Sequence, residues 1–212
     1  MKVSTVWATP EGEKLVAYMA RVSNPGNQDN PESAPKLIKY LAKNKHWSPF
    51  EMVGVCIEVE TTRDIAHQIV RHRSFSFQEF SQRYADPTKT LGFVIREARL
   101  QDSVNRQNSI ETDNKELKAE WNRRQQMVID FTTEQYEWAV NNCIAKEQAR
   151  AVLPEGLTAT RLYMNGTLRS WLHFVSTRCD SSTQKEHREV ALLCKQEIAK
   201  AFPSMLEILN AD

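Results

Sequence analysis

The chain has 212 residues, 41% of them hydrophobic, and its 28 Lys plus Arg almost balance 27 Asp plus Glu, for a net charge of +1. That is material for one sizeable core, and it excludes a general binder of nucleic acid or of a membrane surface, so an anion site must come from local clustering of Arg. No apolar run approaches the roughly 20 residues a membrane-spanning helix needs, and no long apolar stretch follows Met1, so neither a membrane span nor a signal peptide is expected.

Glu11 to Ala20 has helical periodicity, and the stretch Asn24-Pro-Gly-Asn-Gln-Asp-Asn-Pro that follows is a loop of turn formers. Ser33 is placed to cap a helix to about Lys43, with Pro35 in its first turn. Val53 to Glu60 is β-branched and mostly apolar, a predicted strand. Thr62 then caps a helix from Arg63 to Val70, whose Ile65, Ala66 and Ile69 mark one stripe. Residues 71 to 90 show no clear period, and Leu91 to Arg96 reads as a short strand. A long helix is predicted near 113–143, opened by Asp113-x-x-Glu116. A second covers Ala145 to Val152 and stops before Pro154. Leu157 to Met164 suits a strand, with Thr158 and Thr160 on one face. Leu168 to about Arg178 is helical, and a last helix runs from near Ser181 to about Ala201. The expectation is a single α+β domain over residues 1–212, with a small, mostly antiparallel sheet flanked by helices.

The four cysteines, Cys56, Cys143, Cys179 and Cys194, show neither C-x-x-C spacing nor zinc-ligand spacing with His. They read as reduced, mostly buried thiols of a cytosolic protein, and no metal site is expected. Cys179 is the best candidate for a catalytic thiol, since Arg178 beside it would depress its pKa.

The segment richest in chemistry runs from Gln68 to Tyr84: three Arg, one His, one Glu, three Ser and three Gln in 17 positions. Arg offers a rigid fork matching phosphate and carboxylate oxygens. Ser and Gln supply directional bonds, and Glu can hold an Arg or accept from a ribose hydroxyl. Phe75, Phe77, Phe80 and Tyr84 are interleaved among them, which sets polar groups beside apolar walls. The mixture suits a nucleotide site; the plainer reading is a solvated polar loop with internal ion pairs. Two other readings are a phosphate-transfer site with His72 as nucleophile and a small nucleic-acid-binding module stacking bases on Phe and Arg.

The same segment resembles the signature of the flavin-dependent thymidylate synthases, R-H-R-x-x-S-x-N-E-x-S-x-R-Y. Arg71, His72, Arg73, Ser76, Glu79, Ser81, Arg83 and Tyr84 fall at the matching places, and Gln78 stands where the family usually has Asn. Ser48-Pro49-Phe50-Glu51, Ala149-Arg150-Ala151-Val152-Leu153-Pro154, the run Thr167 to Phe174, Arg178, and Gln184 with Glu186 extend the similarity. Met52, Thr167 and Ser182 depart from it, replacing the usual His, Asn and His.

The resemblance implies that Gln68, Arg71, Glu79, Phe80, Ser81, Gln82, Arg83, Arg150 and Arg178 bind dUMP, with Phe80 and Gln82 acting through their backbones and Arg83 and Arg150 at the 5′-phosphate. Arg178 would be the catalytic residue, stabilising the anionic pyrimidine; its plainer role is to complement a helix C-terminus. It further implies that Arg71, His72, Arg73, Ser74, Gln78, Glu79, Arg169 and His173 contact FAD. NADPH would be the reductant and methylenetetrahydrofolate the one-carbon donor, with no enzyme cysteine as nucleophile. The expected partners are these small molecules, neither nucleic acid nor membrane, and other copies of the chain in a homotetramer with shared active sites. The expected location is the cytoplasm, or a host cytoplasm if the source is a virus.

Overall fold

The computed structural model describes residues 1–210. In chain order the elements are β1 (Lys2–Ala8), α1 (Gly12–Ala20), α2 (Ala34–Lys43), β2 (Gly54–Thr62), α3 (Arg63–Ile69), β3 (Ser76–Glu79), α4 (Pro87–Thr90), β4 (Arg99–Gln101), β5 (Ser109–Glu111), α5 (Lys115–Asn141), α6 (Lys146–Ala149), β6 (Ala159–Thr167), α7 (Leu168–Arg178), α8 (Lys185–Ala201) and α9 (Met205–Leu209). Four strands form one sheet in the order β1-β2-β6-β3, and β4 and β5 form an antiparallel hairpin. The α+β expectation, a small sheet with helices, is borne out. Among the described residues no helix is long and apolar enough to cross a membrane.

Contacts gather the chain into two compact units. The first holds Met1–Val59, Val70–Gln78 and the chain from Tyr163 onward; the second holds Glu60–Ile69 and Glu79–Leu162.

In the first unit, α1 packs on α2, and α8 packs on β1 and α7. Val16, Ile38, Phe50, Ile57, Trp171, Phe174 and Phe202 are fully or almost fully buried there. Trp171 satisfies its indole N–H on the Val55 carbonyl at 3.1 Å, which lets so large a ring be buried without cost to its polar edge. Ser33 precedes α2 as expected, but its hydroxyl accepts from Arg21 at 2.7 Å rather than capping the helix. Thr167 does cap α7, accepting from the Ser170 amide at 3.3 Å, so this departure from the family pattern has a structural task.

In the second unit, α5 is 27 residues long, roughly 40 Å at 1.5 Å per residue. Its cap is Asn114, whose side chain accepts from the Leu117 amide at 3.0 Å, and not the Asp113 that the sequence pattern favoured. Tyr136 and Ala139 on α5 pack with Ala149.

Four further expectations are corrected. Leu91–Arg96 is not a strand: Phe93 makes one antiparallel bridge to Thr158, because Gly92 turns the chain with φ 73°. The Thr62 hydroxyl donates to Asp64 at 2.5 Å instead of capping α3. The predicted helix over 145–152 splits into α6 and a 3-10 turn, Arg150–Val152. The last long helix begins at Lys185, because Ser182 bends back to Asp180 through both its amide and its hydroxyl.

Candidate active site

The sequence-predicted residues divide between the units. Gln68, Glu79, Phe80, Ser81, Gln82, Arg83 and Arg150 belong to the second; Arg71, His72, Arg73, Ser74, Gln78, Arg169, His173 and Arg178 belong to the first.

The second unit has a cavity of about 260 Å³ lined by Arg63, Gln82, Glu147, Arg150, Ala151, Leu153 and Glu155. Its walls come from the start of α3, the end of the signature segment and the α6–3-10 turn. Gln82 is only 4% exposed, and its side-chain Nε2 has no hydrogen-bond partner among the described residues. A buried amide without an acceptor is costly unless a ligand completes it. Arg150 is half-buried on the same wall and has no ion-pair partner among the described residues. Two such donors lining one cavity suit an oxygen-rich anion. The carboxylates on the wall are already paired: Glu147 accepts from Arg83 Nε at 3.1 Å, and Glu155 lies 2.5 Å from His67 Nδ1.

Glu79 is held from two sides. Its Oε1 accepts from Arg63 Nη1 at 3.2 Å and from the Thr160 hydroxyl at 2.8 Å. Ser81 Oγ accepts from the Arg83 amide at 3.3 Å, which folds the signature backbone into a turn. The Phe80 amide N–H is occupied by the Arg161 carbonyl at 2.8 Å, and Gln82 offers its side chain.

In the first unit, Arg178 ends α7 and its Nε donates to His72 Nε2 at 2.9 Å. Since Arg is always protonated, His72 Nε2 must be the acceptor, and its proton sits on Nδ1. His72 is held neutral: burial lowers its pKa, and Arg178 and Arg71 lower it further. That arrangement argues against His72 as a phosphate-accepting nucleophile, because its lone pair is engaged. Phe174 and His187 pack against the His72 ring, at centroid distances of 5.0 and 6.3 Å. Burial foremost, then Arg178 and His72, push His187 down to about 4. The two terminal amino groups of Arg178 have no partner among the described residues and can meet a ligand.

Arg71, Arg73, Ser74 and Gln78 are exposed, and no carboxylate pairs with Arg71 or Arg73 among the described residues. Two open guanidinia on one short segment fit the pyrophosphate of a dinucleotide such as FAD. Arg169 is ion-paired with Glu51 through Nη1, and His173, one turn on, is exposed.

The expectation of a depressed Cys179 is overturned. Burial pushes its thiol up, and the smaller opposing influence of Lys195 does not reverse that. Cys56 and Cys194 are also raised by burial. All four cysteines are free thiols, and Cys143 is exposed rather than buried.

Sequence reading missed Arg63, Glu147, Glu155, Thr160 and His187. The i,i+4 pair of Arg63 with His67 was a usable signal on the α3 surface. Thr160 carried none, since its partner is 81 residues away.

With a cavity suited to an anion in the second unit and a neutral His–Arg pair in the first, the chain has the marks of an α+β enzyme acting on an anionic ligand. The family described as thymidylate synthase complementing protein matches residues 5–204. The flavin-dependent thymidylate synthase of Synechocystis sp. is 49% identical over 202 residues, covering 95% of this chain and 90% of its own length. A probable flavin-dependent thymidylate synthase of Paramecium bursaria Chlorella virus 1 is 45% identical over 198 residues, covering 93% and 90%. Among solved structures, the UMP/dUMP methylase PolB from Streptomyces cacaoi bound with 5-Br dUMP superposes with a TM-score of 0.81 at 28% identity, over 99% of this chain and 94% of that one. This chain belongs to the family of flavin-dependent thymidylate synthases, enzymes of methyltransferase type whose cofactor is a flavin.

Proposed function

We propose that this chain converts dUMP to dTMP, taking the carbon from methylenetetrahydrofolate and the reducing equivalents from NADPH by way of FAD. The observation that carries the reading is the cavity where buried Gln82 Nε2 and the Arg150 guanidinium both lack partners among the described residues. The 5′-phosphate of dUMP supplies the acceptors they need. Arg83, fixed by Glu147 at the cavity wall, adds positive charge there.

Arg178 meets the pyrimidine through its free amino groups. Its Nε is anchored on neutral His72, so the fork is oriented before the substrate arrives. A cation at the N3/O2 edge stabilises the anionic pyrimidine and makes C5 a better nucleophile. One well-placed donor of this kind is worth about 3 kcal/mol. Glu79, held by Arg63 and Thr160, is in place to accept from a ribose hydroxyl. Arg71, Arg73, Ser74 and Gln78 hold FAD, with Arg169 and His173 on the α7 face. When bound, the flavin supplies the redox step that completes the methyl group. No thiol attack is needed, which agrees with burial holding Cys56, Cys179 and Cys194 protonated.

The active form is a homotetramer with sites shared between copies. Helix α7 is continuous from Leu168 to Arg178. Arg178 therefore points about 180° around the axis from Arg169, at roughly 100° per residue. One pocket cannot easily use both faces of one helix, so the faces serve different sites. Mixing inactive Arg178→Ala and Arg169→Ala under subunit exchange should restore activity, and a fully active monomer in sedimentation would defeat this part. The chemistry is tested by NADPH oxidation: it should require both dUMP and methylenetetrahydrofolate, and oxidation that ignores dUMP would count against the substrate.

A further inference from the structure

Arg63 opens α3 and lines the cavity beside Arg150 and Gln82. No motif points to it, yet its guanidinium is held by two partners. Its Nη1 donates to Glu79 Oε1 at 3.2 Å, and its Nη2 lies 3.5 Å from His67 Nε2. His67 is fixed in turn, with Nδ1 2.5 Å from Glu155. The tautomer is consistent along this chain of contacts: Nδ1–H donates to the carboxylate and Nε2 faces the Arg donor. The Arg63 side chain is only 21% exposed. Five N–H donors on a guanidinium exceed the two contacts made, so Nε and the remaining amino protons are open to a ligand. A fork already held in place loses little freedom on meeting an anion.

The charge of the ligand supplies the second argument. A phosphate monoester carries nearly two negative charges at neutral pH. Arg150 matches one of them, and the charge of Arg83 at the wall is partly offset by Glu147. Among the residues lining the cavity, Arg63 is the other guanidinium, and the two wall carboxylates are already engaged by Arg83 and His67. We infer that Arg63 is a further phosphate-binding residue of the nucleotide site, contacting the 5′-phosphate together with Arg150 and Arg83. The inference rests on the dUMP reading above.

The test titrates flavin-loaded wild type, Arg63→Gln, Arg63→Lys and Arg150→Gln by calorimetry with dUMP, and with deoxyuridine by displacement. Arg63→Gln should weaken dUMP by at least about tenfold, the scale of a lost charge-assisted bond, with a clearly smaller change for deoxyuridine, which has no phosphate. A smaller loss for dUMP, or an equal loss for both ligands, overturns the inference and leaves Arg63 a support for Glu79. If Arg63→Gln fails to fold, Arg63→Lys carries the same comparison, because it keeps the charge without the fork. A large loss in Arg150→Gln beside none in the Arg63 variants would sink Arg63 alone. A wild type that binds no dUMP would sink the nucleotide reading with it.

Discussion

Acid should unfold this protein through His187, and the size of the effect follows from its burial. His187 is 1% exposed, packed against Phe174 and His72 and close to Arg178. Its folded pKa is pushed down to about 4, against 6.5 for an ordinary His. A depressed His pKa means the unfolded chain binds the proton more tightly. The stability is therefore fully present above about pH 6.5 and is lost as the pH falls toward 4. The difference of about 2.5 units, at 1.36 kcal/mol per unit, comes to about 3 kcal/mol, of which about 2 should already be gone at pH 5. For a chain of this length 1 kcal/mol moves Tm by roughly 2–4 °C, so the full loss corresponds to roughly 10 °C. The assay is thermal unfolding between pH 7.5 and 4.5 for wild type and His187→Gln, which cannot titrate there. The variant should show the flatter profile, with the two curves converging in acid. Parallel profiles would show that His187 does not carry the acid sensitivity. A ring titration by NMR adds a check: Arg178→Gln removes the second contribution and should raise the His187 pKa.

Three further predictions concern the signature and its support. Gly166→Ala would place a Cβ 2.4 Å from the Phe75 ring, so denaturant unfolding should show a loss of about 1–3 kcal/mol and disturb the segment that Phe75 anchors. Arg73→Ala should lose much of its bound flavin by absorbance while dUMP affinity changes less; unchanged flavin content would remove this segment from the cofactor site. Cys179→Ser should keep most activity, whereas Arg178→Ala should lose at least about tenfold in turnover, and the reverse pattern would restore the thiol as a candidate.

The elements that the sequence made legible are those whose signals are local. Helix α7 was bounded correctly because apolar spacing, a Thr at its start and an Arg at its end agree. Strand β1 was missed because Lys2–Ala8 alternates only between half-buried and exposed positions, leaving no apolar stripe to read. Strand β3 was hidden inside the signature, where Ser76–Glu79 look like site residues rather than strand residues. β4 and β5 are three residues each and mostly exposed. In the site, Arg150 and the signature residues were visible as types and spacings. The roles of Gln82 and His187 were not, because an unpaired amide and a depressed imidazole are properties of burial. Thr160 and Arg63 meet Glu79 only once distant segments are folded together.

The most direct measurement is product stoichiometry under anaerobic conditions. Purified protein loaded with FAD is given dUMP, methylenetetrahydrofolate and NADPH, and dTMP is quantified by chromatography beside the NADPH consumed. One dTMP should form per NADPH consumed, none should form from protein stripped of flavin, and Cys179→Ser should give near-normal dTMP. Methylation that proceeds without flavin, or NADPH oxidation in the complete mixture with no dTMP formed, would contradict the proposed function.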